Sequence, residues 1–279
     1  ARAPEVRATR RGAGLFVPAL LLVAVGAATK SAQVPAHVWL PNAMEAPTPV
    51  SAFLHSATMV KAGVYLVGRL RPLFLPAEGP LLGEWTLVLA ALGLLTMSVA
   101  AVLAVQAVDV KELLAYSTAS HLGLIVAGFG FAEATGAETG AFHVLNHAAF
   151  KAALFLVAGI LAHEAGTRKI DELGGLRHDL PVTAAVATVA CLSMAGLPPF
   201  AGFWSKEFLF DAAYETAAAV GGAAWLFPVV AVVGSAFTVL YSARFAMLFW
   251  GDRPAALREG PRPPATMPAP PRVPAGPVC

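Results

Sequence analysis

The sequence predicts an all-α polytopic membrane protein with about seven transmembrane helices, two of them broken. The chain is 57% hydrophobic and only 13% charged, whereas about 25% of the residues in a soluble domain are charged. Several apolar stretches contain no Asp, Glu, Lys or Arg and reach the roughly 20 residues that a helix needs to cross the hydrocarbon core. These stretches are 85–108, 113–132, 180–205 and 216–243. Each is too long and too continuous to be a strand of a membrane barrel.

The elements follow one another in a simple order. Residues 1–13 are predicted to form an extramembrane loop, and residues 14–250 a transmembrane domain. Residues 251–279 are rich in Pro and Arg and cannot pack a core, which predicts a disordered or truncated tail. Asp109 is predicted to be the N-cap of the helix that follows it. The predicted helices are 14–31, 50–70, 81–107, 110–131, 139–163, 181–216 and 223–250.

Two of these helices are predicted to be interrupted by proline. The segment QVPAHVWLPNAMEAPTP follows the first helix and cannot be one regular helix, and GLPPFAG interrupts the sixth, which resumes near residue 204. Lys30 lies beside the first break and Lys206 beside the second. Paired interruptions of this kind point to the ion site of a transporter, with Glu45 and Glu207 as candidate counter-charges. The alternative for Lys30 is that it extends from the end of its helix to the interface.

One predicted helix carries three titratable residues on a single face. His143, His147 and Lys151 are four residues apart, which places them one turn above another. Imidazole titrates near pH 6.5 when unperturbed, and a lysine without a counter-ion in apolar surroundings can release and rebind a proton. The pattern therefore predicts a proton relay. A packing role for the stripe is the alternative, and a zinc site at the histidine pair is less favoured because no third ligand is near.

Three further titratable residues extend this set. Lys61 lies near the middle of helix 50–70, where a lysine costs about 2.5–3.5 kcal/mol on insertion scales, so a role beyond packing is predicted. His55, six residues earlier, faces about 120° away on a regular helix, and its alternative is a core histidine. Lys111 lies at the start of the helix that begins at 110, and the alternative to a role in proton transfer is an ordinary charged residue at a helix end. His121, deeper in the same helix, is predicted to continue the proton path.

The sequence contains no signature of covalent or cofactor chemistry. It lacks a nucleophile elbow, a P-loop and a dinucleotide fingerprint. Cys191 and Cys279 are far apart and form no cluster for a metal or an iron–sulfur centre. We therefore predict no cofactor, no metal and no nucleic-acid partner, and a component of a transporter that is not an enzyme.

Four segments resemble, in the same order, the proton-translocating antiporter-like subunits of respiratory complex I, membrane-bound hydrogenases and Mrp-type cation/proton antiporters. They are TKSAQVPAHVWLPNAMEAPTPVSAFLHSATMVKAGVYL, DVKELLAYSTASHLGLIV, FHVLNHAAFKAALFLVAGI and MAGLPPFAGFWSKE. The resemblance covers about residues 5–250. Two sequence segments are most similar to the A-type subunit of Mrp-type Na⁺/H⁺ antiporters: PNAMEAPTPVSAFLHSATMVKAGVYL and KIDELGGLRHDLPVT. The large complex I subunit of the same lineage is the next most similar.

The resemblance implies a fourteen-helix core of two inverted five-helix repeats, of which this fragment would carry helices seven to thirteen. Lys30 and Lys206 would be the lysines beside the two broken helices. His55 and Lys61 would be polar positions of helix eight, Lys111 would open helix ten, and the central relay would comprise His143, His147 and Lys151. The family's essential glutamate would lie upstream of this chain, and the Pro-rich tail departs from the family pattern.

These observations predict a proton-conducting subunit of a multisubunit monovalent cation (Na⁺)/H⁺ antiporter in the bacterial inner (plasma) membrane. Its expected partners are other antiporter subunits, Na⁺, H⁺ and the lipid bilayer. Three alternatives remain: a proton-pumping membrane subunit of NADH–quinone oxidoreductase or membrane-bound hydrogenase, which would make the chain part of a translocase; a structural membrane subunit; and a partial reading frame without function.

Overall fold

The computed structural model describes residues 14–75 and 83–252. The predicted loop 1–13 and nearly all of the predicted tail 251–279 lie outside the described residues. The regular elements of the described residues are helical. They are α1 (Phe16–Lys30), α2 (Trp39–Asn42), α3 (Thr48–Ala52), α4 (Lys61–Phe74), α5 (Glu84–Gln106), α6 (Val110–Gly130), α7 (Ala134–Glu164), α8 (Pro181–Ala195), α9 (Ala201–Val220) and α10 (Leu226–Trp250), with a π turn at Phe53–Ala57 and 3-10 turns at Ala43–Glu45, Ile170–Glu172 and Gly222–Trp225.

The membrane class and the helix number are confirmed. Among the described residues, five helical segments are long and apolar enough to cross a membrane: Thr48–Phe74, Glu84–Gln106, Val110–Gly130, Ala134–Glu164 and Gly222–Trp250. Two shorter apolar helices, α1 and α8, are the first halves of the two helices predicted to be broken. The expected total of about seven spans therefore agrees with the structure.

Both breaks lie where prolines interrupt the chain. After α1, the chain passes through turns and the short α2 before α3 begins, and the Val34–Pro35 peptide bond is cis. After α8, Gly196 adopts a left-handed conformation with φ of 79°, and the Pro198–Pro199 bond is cis. Glycine ends helices in this conformation because it has no Cβ to clash with the backbone. The second half then begins at Ala201 and runs to Val220, so the prediction that it spans 204–216 was too short.

The predicted helix 50–70 is not one regular helix, and this is a correction. It consists of α3, a π turn at Phe53–Ala57, an irregular stretch and α4. His55 lies in the π turn and Lys61 is the first residue of α4. The predicted angle of about 120° between their side chains assumed an uninterrupted α-helix and therefore does not apply.

The helix predicted at 139–163 begins earlier, at Ala134, and this is also a correction. Gly136 and Gly140 lie against α6, where an added Cβ would fall 2.7 Å from the Gly128 carbonyl oxygen and 2.6 Å from the Phe129 ring, respectively. Small residues let two membrane helices approach closely, so packing against α6 offsets the low helix propensity of glycine. The same device brings α5 and α6 together at Gly93 and Gly123.

Helix α6 lies at the centre of the bundle, and 89% of its most apolar 18-residue stretch is buried. Asp109 caps its start, as predicted: the carboxylate accepts hydrogen bonds from the backbone N–H groups of Lys111 at 2.7 Å and Glu112 at 3.3 Å. The connection after α7 packs against this corner, because Arg168 forms a 3.1 Å ion pair with Asp109 and its carbonyl accepts from Val110 N at 2.9 Å. The start of α6 is thereby fixed to the loop that leads to α8.

Candidate functional site

Three histidines meet in the core between α6 and α7. His121, His143 and His147 are each no more than 1% exposed. His121 Nδ1 and His143 Nε2 are 2.9 Å apart and share a hydrogen bond, and their rings stack with centroids 5.1 Å apart. The His147 ring lies 5.7 Å from His121 and 6.4 Å from His143. The cluster therefore joins His121 to two of the residues predicted to form the relay.

Most of the ring nitrogens in this cluster have no protein partner. Among the described residues, His121 Nε2, His143 Nδ1 and both nitrogens of His147 accept or donate no hydrogen bond. Buried polar atoms normally have a hydrogen-bond partner, and where no protein group supplies one, ordered water does. A polar, hydratable set of nitrogen atoms in the centre of an apolar bundle is suited to proton transfer.

Lys151 lies one turn beyond His147 and is completely buried. Its ammonium group donates to the Leu114 carbonyl at 3.2 Å and to the Ser117 hydroxyl, both on α6. His143, His147 and Lys151 thus lie on one helix, α7, as predicted, and the lysine is directed at α6.

His55 and Lys61 both face α7. His55 is fully buried, and its ring stacks on Phe155 with centroids 5.0 Å apart. Lys61 donates to the Val144 carbonyl at 2.8 Å, immediately after His143. The two contacts are 11 residues apart on α7, or about 16 Å at 1.5 Å per residue. Although they do not share one regular helix, both residues flank the relay helix.

Lys206 and Lys111 bind backbone oxygens at the ends of other helices. Lys206 is 5% exposed and donates to the Ala195 carbonyl at 2.6 Å, at the end of α8. Lys111 donates to the Ala46 carbonyl at 2.9 Å and to that of Met44 at 3.4 Å, within the first break. Each lysine therefore binds a backbone carbonyl at one of the two breaks.

Lys30 and both candidate counter-charges lie outside this buried set. Lys30 and Glu45 are exposed in the described chain. Glu207 is also exposed and lines a cavity together with Lys206, but makes no ion pair with it. Within the described ranges, the ion pairs are His163–Glu164, Arg168–Asp109 and Lys169–Glu172. No buried lysine therefore forms an ion pair with a carboxylate in the part of the chain that the structure describes.

Sequence reasoning missed two side chains that contact the relay. Ser117 accepts from Lys151, and Tyr241 on α10 meets the His121 ring edge-on with centroids 6.2 Å apart. A serine or tyrosine within an apolar helix carries no signal of its own, because both occur commonly in membrane helices as packing residues. Among the described residues, no group of three or more His, Cys, Asp or Glu side chains has the arrangement that a metal ion would need.

Comparison with known proteins gives the family. The family model described as "NADH:quinone oxidoreductase/Mrp antiporter, TM" matches residues 8–238. The chain belongs to this family. The match includes every residue predicted for the relay and both broken helices.

The family relatives include antiporter subunits. The chain is 42% identical over 255 residues to the A1 subunit of the Na⁺/H⁺ antiporter from Staphylococcus aureus strains JH9 and Newman, an alignment that covers 85% of this chain and 31% of each relative. The chain therefore spans about a third of the length of these curated relatives. This similarity agrees with the resemblance found in the sequence motifs.

Two solved structures have a similar fold. The Mrp complex from a Dietzia species matches with a TM-score of 0.76 and 38% identity, over 88% of this chain and 28% of that chain. The membrane-bound sulfane sulfur reductase, an archaeal respiratory membrane complex, matches with a TM-score of 0.79 and 29% identity, over 94% of this chain and 44% of that chain. The all-α membrane fold is thus shared with chains of an Mrp complex and of an archaeal respiratory membrane complex.

Proposed function

We propose that this chain is the proton-conducting part of the A-type subunit in a multisubunit Na⁺/H⁺ antiporter of a bacterial plasma membrane. The similarity to the staphylococcal A1 subunit and to the Mrp complex supports the antiporter context. On this proposal the other antiporter subunits are its partners, Na⁺ and H⁺ are the transported ions, and residues 14–250 are part of a larger transmembrane domain. The protein moves ions and catalyses no covalent step.

One observation supports proton conduction most directly. The buried lysines Lys61, Lys111, Lys151 and Lys206 bind carbonyl and hydroxyl oxygens, and none of them binds a carboxylate within the described residues. A lysine ammonium group that donates to a carbonyl or hydroxyl oxygen is not held in its charged form by an opposite charge. The partner can remain in place whether the amine is charged or neutral, since it accepts a hydrogen bond from either form.

We propose that protons pass along the bundle through these lysines and the histidine cluster. The groups on this path are Lys30, Lys61, His143, His147, Lys151 and Lys206. His55 and Lys111 lie toward Lys151, since His55 stacks on Phe155 one turn beyond it and Lys111 is one turn before the Leu114 carbonyl that Lys151 binds. Charge on one group raises the free energy of charge on the next, so the groups titrate as a coupled set. Such coupling lets proton entry at one end drive ion release at the other.

The test is Na⁺-dependent collapse of a proton gradient in inverted vesicles. The complete set of subunits is expressed in an antiporter-deficient host as wild type, Lys206→Ala and Lys169→Ala, with assembly checked by immunoblot. Lys169 is the control because it is an exposed loop lysine paired with Glu172. The proposal expects exchange in the wild type and in Lys169→Ala, and loss of exchange in the assembled Lys206→Ala complex. Normal exchange in Lys206→Ala contradicts the site.

A respiratory context is the second candidate, and the TM-score of 0.79 to an archaeal respiratory membrane complex favours it. The same lysines and histidines would then serve redox-driven pumping. The genes beside the one that encodes this chain discriminate the two: small antiporter subunits support the antiporter, and iron–sulfur or flavin subunits support the respiratory complex. Absence of exchange in an assembled wild-type complex also supports the respiratory context.

A further inference from the structure

Lys111 binds two backbone oxygens of the first break that have no backbone partner. Its ammonium group donates to the Ala46 carbonyl at 2.9 Å and to the Met44 carbonyl at 3.4 Å. No backbone N–H group of the described residues donates to either oxygen. The residues three positions after Met44 and Ala46 are Pro47 and Pro49, which have no N–H group with which to close a turn. The prolines therefore leave two carbonyl oxygens free, and a single cation binds both.

Ser51 adds a third oxygen to this group. Its hydroxyl lies 3.3 Å from the Ala46 carbonyl oxygen and 3.4 Å from that of Pro47, so it is shared between two long hydrogen bonds. The Ala46 oxygen is thus a contact of both Lys111 and Ser51. A hydroxyl also has lone pairs that can face a cation. We call Met44 O, Ala46 O and Ser51 Oγ the oxygen cluster.

The charge of Lys111 is held by these neutral oxygens and not by a carboxylate. Asp109, two residues before it, forms its 3.1 Å ion pair with Arg168. Glu112 is the next residue of α6 and points about 100° away on the helix, and Glu45 is exposed. None of the three carboxylates pairs with Lys111 among the described residues.

Oxygen atoms of this kind suit a small inorganic cation as well as an ammonium group. A lysine ammonium group is a compact, strongly hydrated point charge, and carbonyl oxygens of interrupted helices coordinate Na⁺ in membrane transporters. Ser51 is 2% exposed, but Ala46 is half-buried and its neighbours Glu45 and Pro47 are exposed, so water can complete the ligand set of a cation. At the second break, by contrast, Lys206 binds one carbonyl among the described residues.

We propose that the oxygen cluster is a Na⁺ site in which the protonated Lys111 side chain takes the place of the cation. This inference rests on the proposed function and adds the place where the transported cation binds. The ammonium group and Na⁺ need the same oxygens, so each excludes the other. Na⁺ binds when Lys111 is neutral or directed elsewhere, and a proton taken up by Lys111 expels Na⁺. Exchange of the two ions thus has a physical cause at one side chain.

The first experiment follows Na⁺ binding at the site without relying on transport. Hydrogen–deuterium exchange of the segment 43–52, which reports local opening, is measured by mass spectrometry in the purified complete complex, with Na⁺ or choline at equal ionic strength. Lys111→Met keeps the apolar stem without the ammonium group, and Lys111→Arg keeps a charge. We expect Na⁺ to protect the segment at a concentration at least about tenfold lower in Lys111→Met than in wild type, because no ammonium group has to be displaced.

Lys111→Arg is the control for charge, and we expect it to need at least as much Na⁺ as wild type. The same half-effective Na⁺ concentration in Lys111→Met, Lys111→Arg and wild type overturns the proposal. Equal protection by Na⁺ and choline also overturns it, because the effect is then one of ionic strength.

The second experiment measures Na⁺-driven proton movement in vesicles that contain the complete complex. Ser51→Ala is compared with Ser56→Ala, because the Ser56 hydroxyl is also buried and also bonds to the carbonyl four residues before it. We expect Ser51→Ala to raise the half-saturating Na⁺ concentration by about tenfold with a maximal rate near wild type, and Ser56→Ala to change neither. Equal half-saturating Na⁺ concentrations in the two variants overturn the proposal. Absence of exchange in wild type contradicts only the proposed function, since Na⁺-specific protection of 43–52 that Lys111→Met strengthens upholds the site by itself.

Discussion

His121 on α6 and His143 on α7 share a 2.9 Å hydrogen bond through Nδ1 and Nε2, with no other protein partner for the far nitrogen of either ring among the described residues. One ring must donate and the other accept, so the tautomers of the two neutral imidazoles are linked: both carry their proton on Nδ1, or both carry it on Nε2. The two rings belong to different helices. The bond therefore makes the protonation of one histidine depend on the other across the α6–α7 interface.

Replacement of His121 tests whether this pair conducts protons. We expect His121→Gln to lower the exchange rate by about 100-fold, the lower end of what a positioned proton-transfer group contributes. Exchange is measured in vesicles at equal amounts of assembled complex. The control is Asn146→Gln on α7, which alters a polar side chain that does not titrate and that bonds to Ala201 and Ser205 on α9. Equal activity of His121→Gln and wild type would show that the pair serves packing alone.

Ser117 offers a finer test of Lys151. Its hydroxyl accepts from the lysine, and Ser117→Ala leaves the ammonium group with the Leu114 carbonyl as its remaining bond in the described chain. A hydrogen bond to a charged group is worth about 1.5–3 kcal/mol, so we expect the rate of proton transport to fall by about tenfold or more. Initial rates of proton movement measure this.

The neighbouring Thr118 provides the matched control. Its hydroxyl also donates to the Leu114 carbonyl, at 2.8 Å, but it does not bond to Lys151. Thr118→Val therefore removes a hydroxyl from the same turn of the same helix and is expected to leave transport near wild type. If both variants reduce transport equally, the effect belongs to helix packing and not to Lys151.

Asp109 tests the stability of the start of α6, and with it the position of Lys111. Its carboxylate caps two backbone N–H groups and pairs with Arg168. Loss of an N-cap costs about 0.5–2 kcal/mol, so we expect Asp109→Ala to lower the unfolding temperature and the yield of assembled complex. Asparagine is an equally good cap, so Asp109→Asn should lose only the partly exposed ion pair, worth at most about 1 kcal/mol. Equal losses in the two variants would assign the stabilisation to the ion pair.

The positions of the helices and of the titratable residues follow from the sequence because both depend on local pattern. Charge-free apolar stretches define α5, α6 and α10, and proline runs define the two breaks. The four-residue spacing of His143 and His147 places them together on any helix. These features require no knowledge of what the helix packs against.

The remaining features depend on contacts between helices. A single-helix pattern encodes neither the π turn that contains His55 nor the early start of α7, where Gly136 and Gly140 pack against α6. Likewise, Ser117 becomes a partner of Lys151 only because α6 and α7 lie side by side. A serine in a helix has no period or charge that distinguishes this role, so only the three-dimensional arrangement reveals it.

Position 196, at the second break, requires glycine for two separate reasons, one of which involves Lys206. Its φ of 79° is unfavourable for a residue with a Cβ, and an added Cβ would lie 2.6 Å from Lys206 Cδ. Gly166 has φ of 66° with nothing within 4 Å of an added Cβ, so it shares the first requirement and not the second. Gly166→Ala is therefore expected to cost only the backbone term, about 1 kcal/mol or somewhat more. Gly196→Ala should cost the same and also displace the Lys206 side chain from the Ala195 carbonyl, so exchange is expected to fall in the fraction of complex that assembles. Thermal unfolding and vesicle exchange, measured on both variants, separate the two terms, and equal exchange per assembled complex would show that the position of Lys206 does not depend on this glycine.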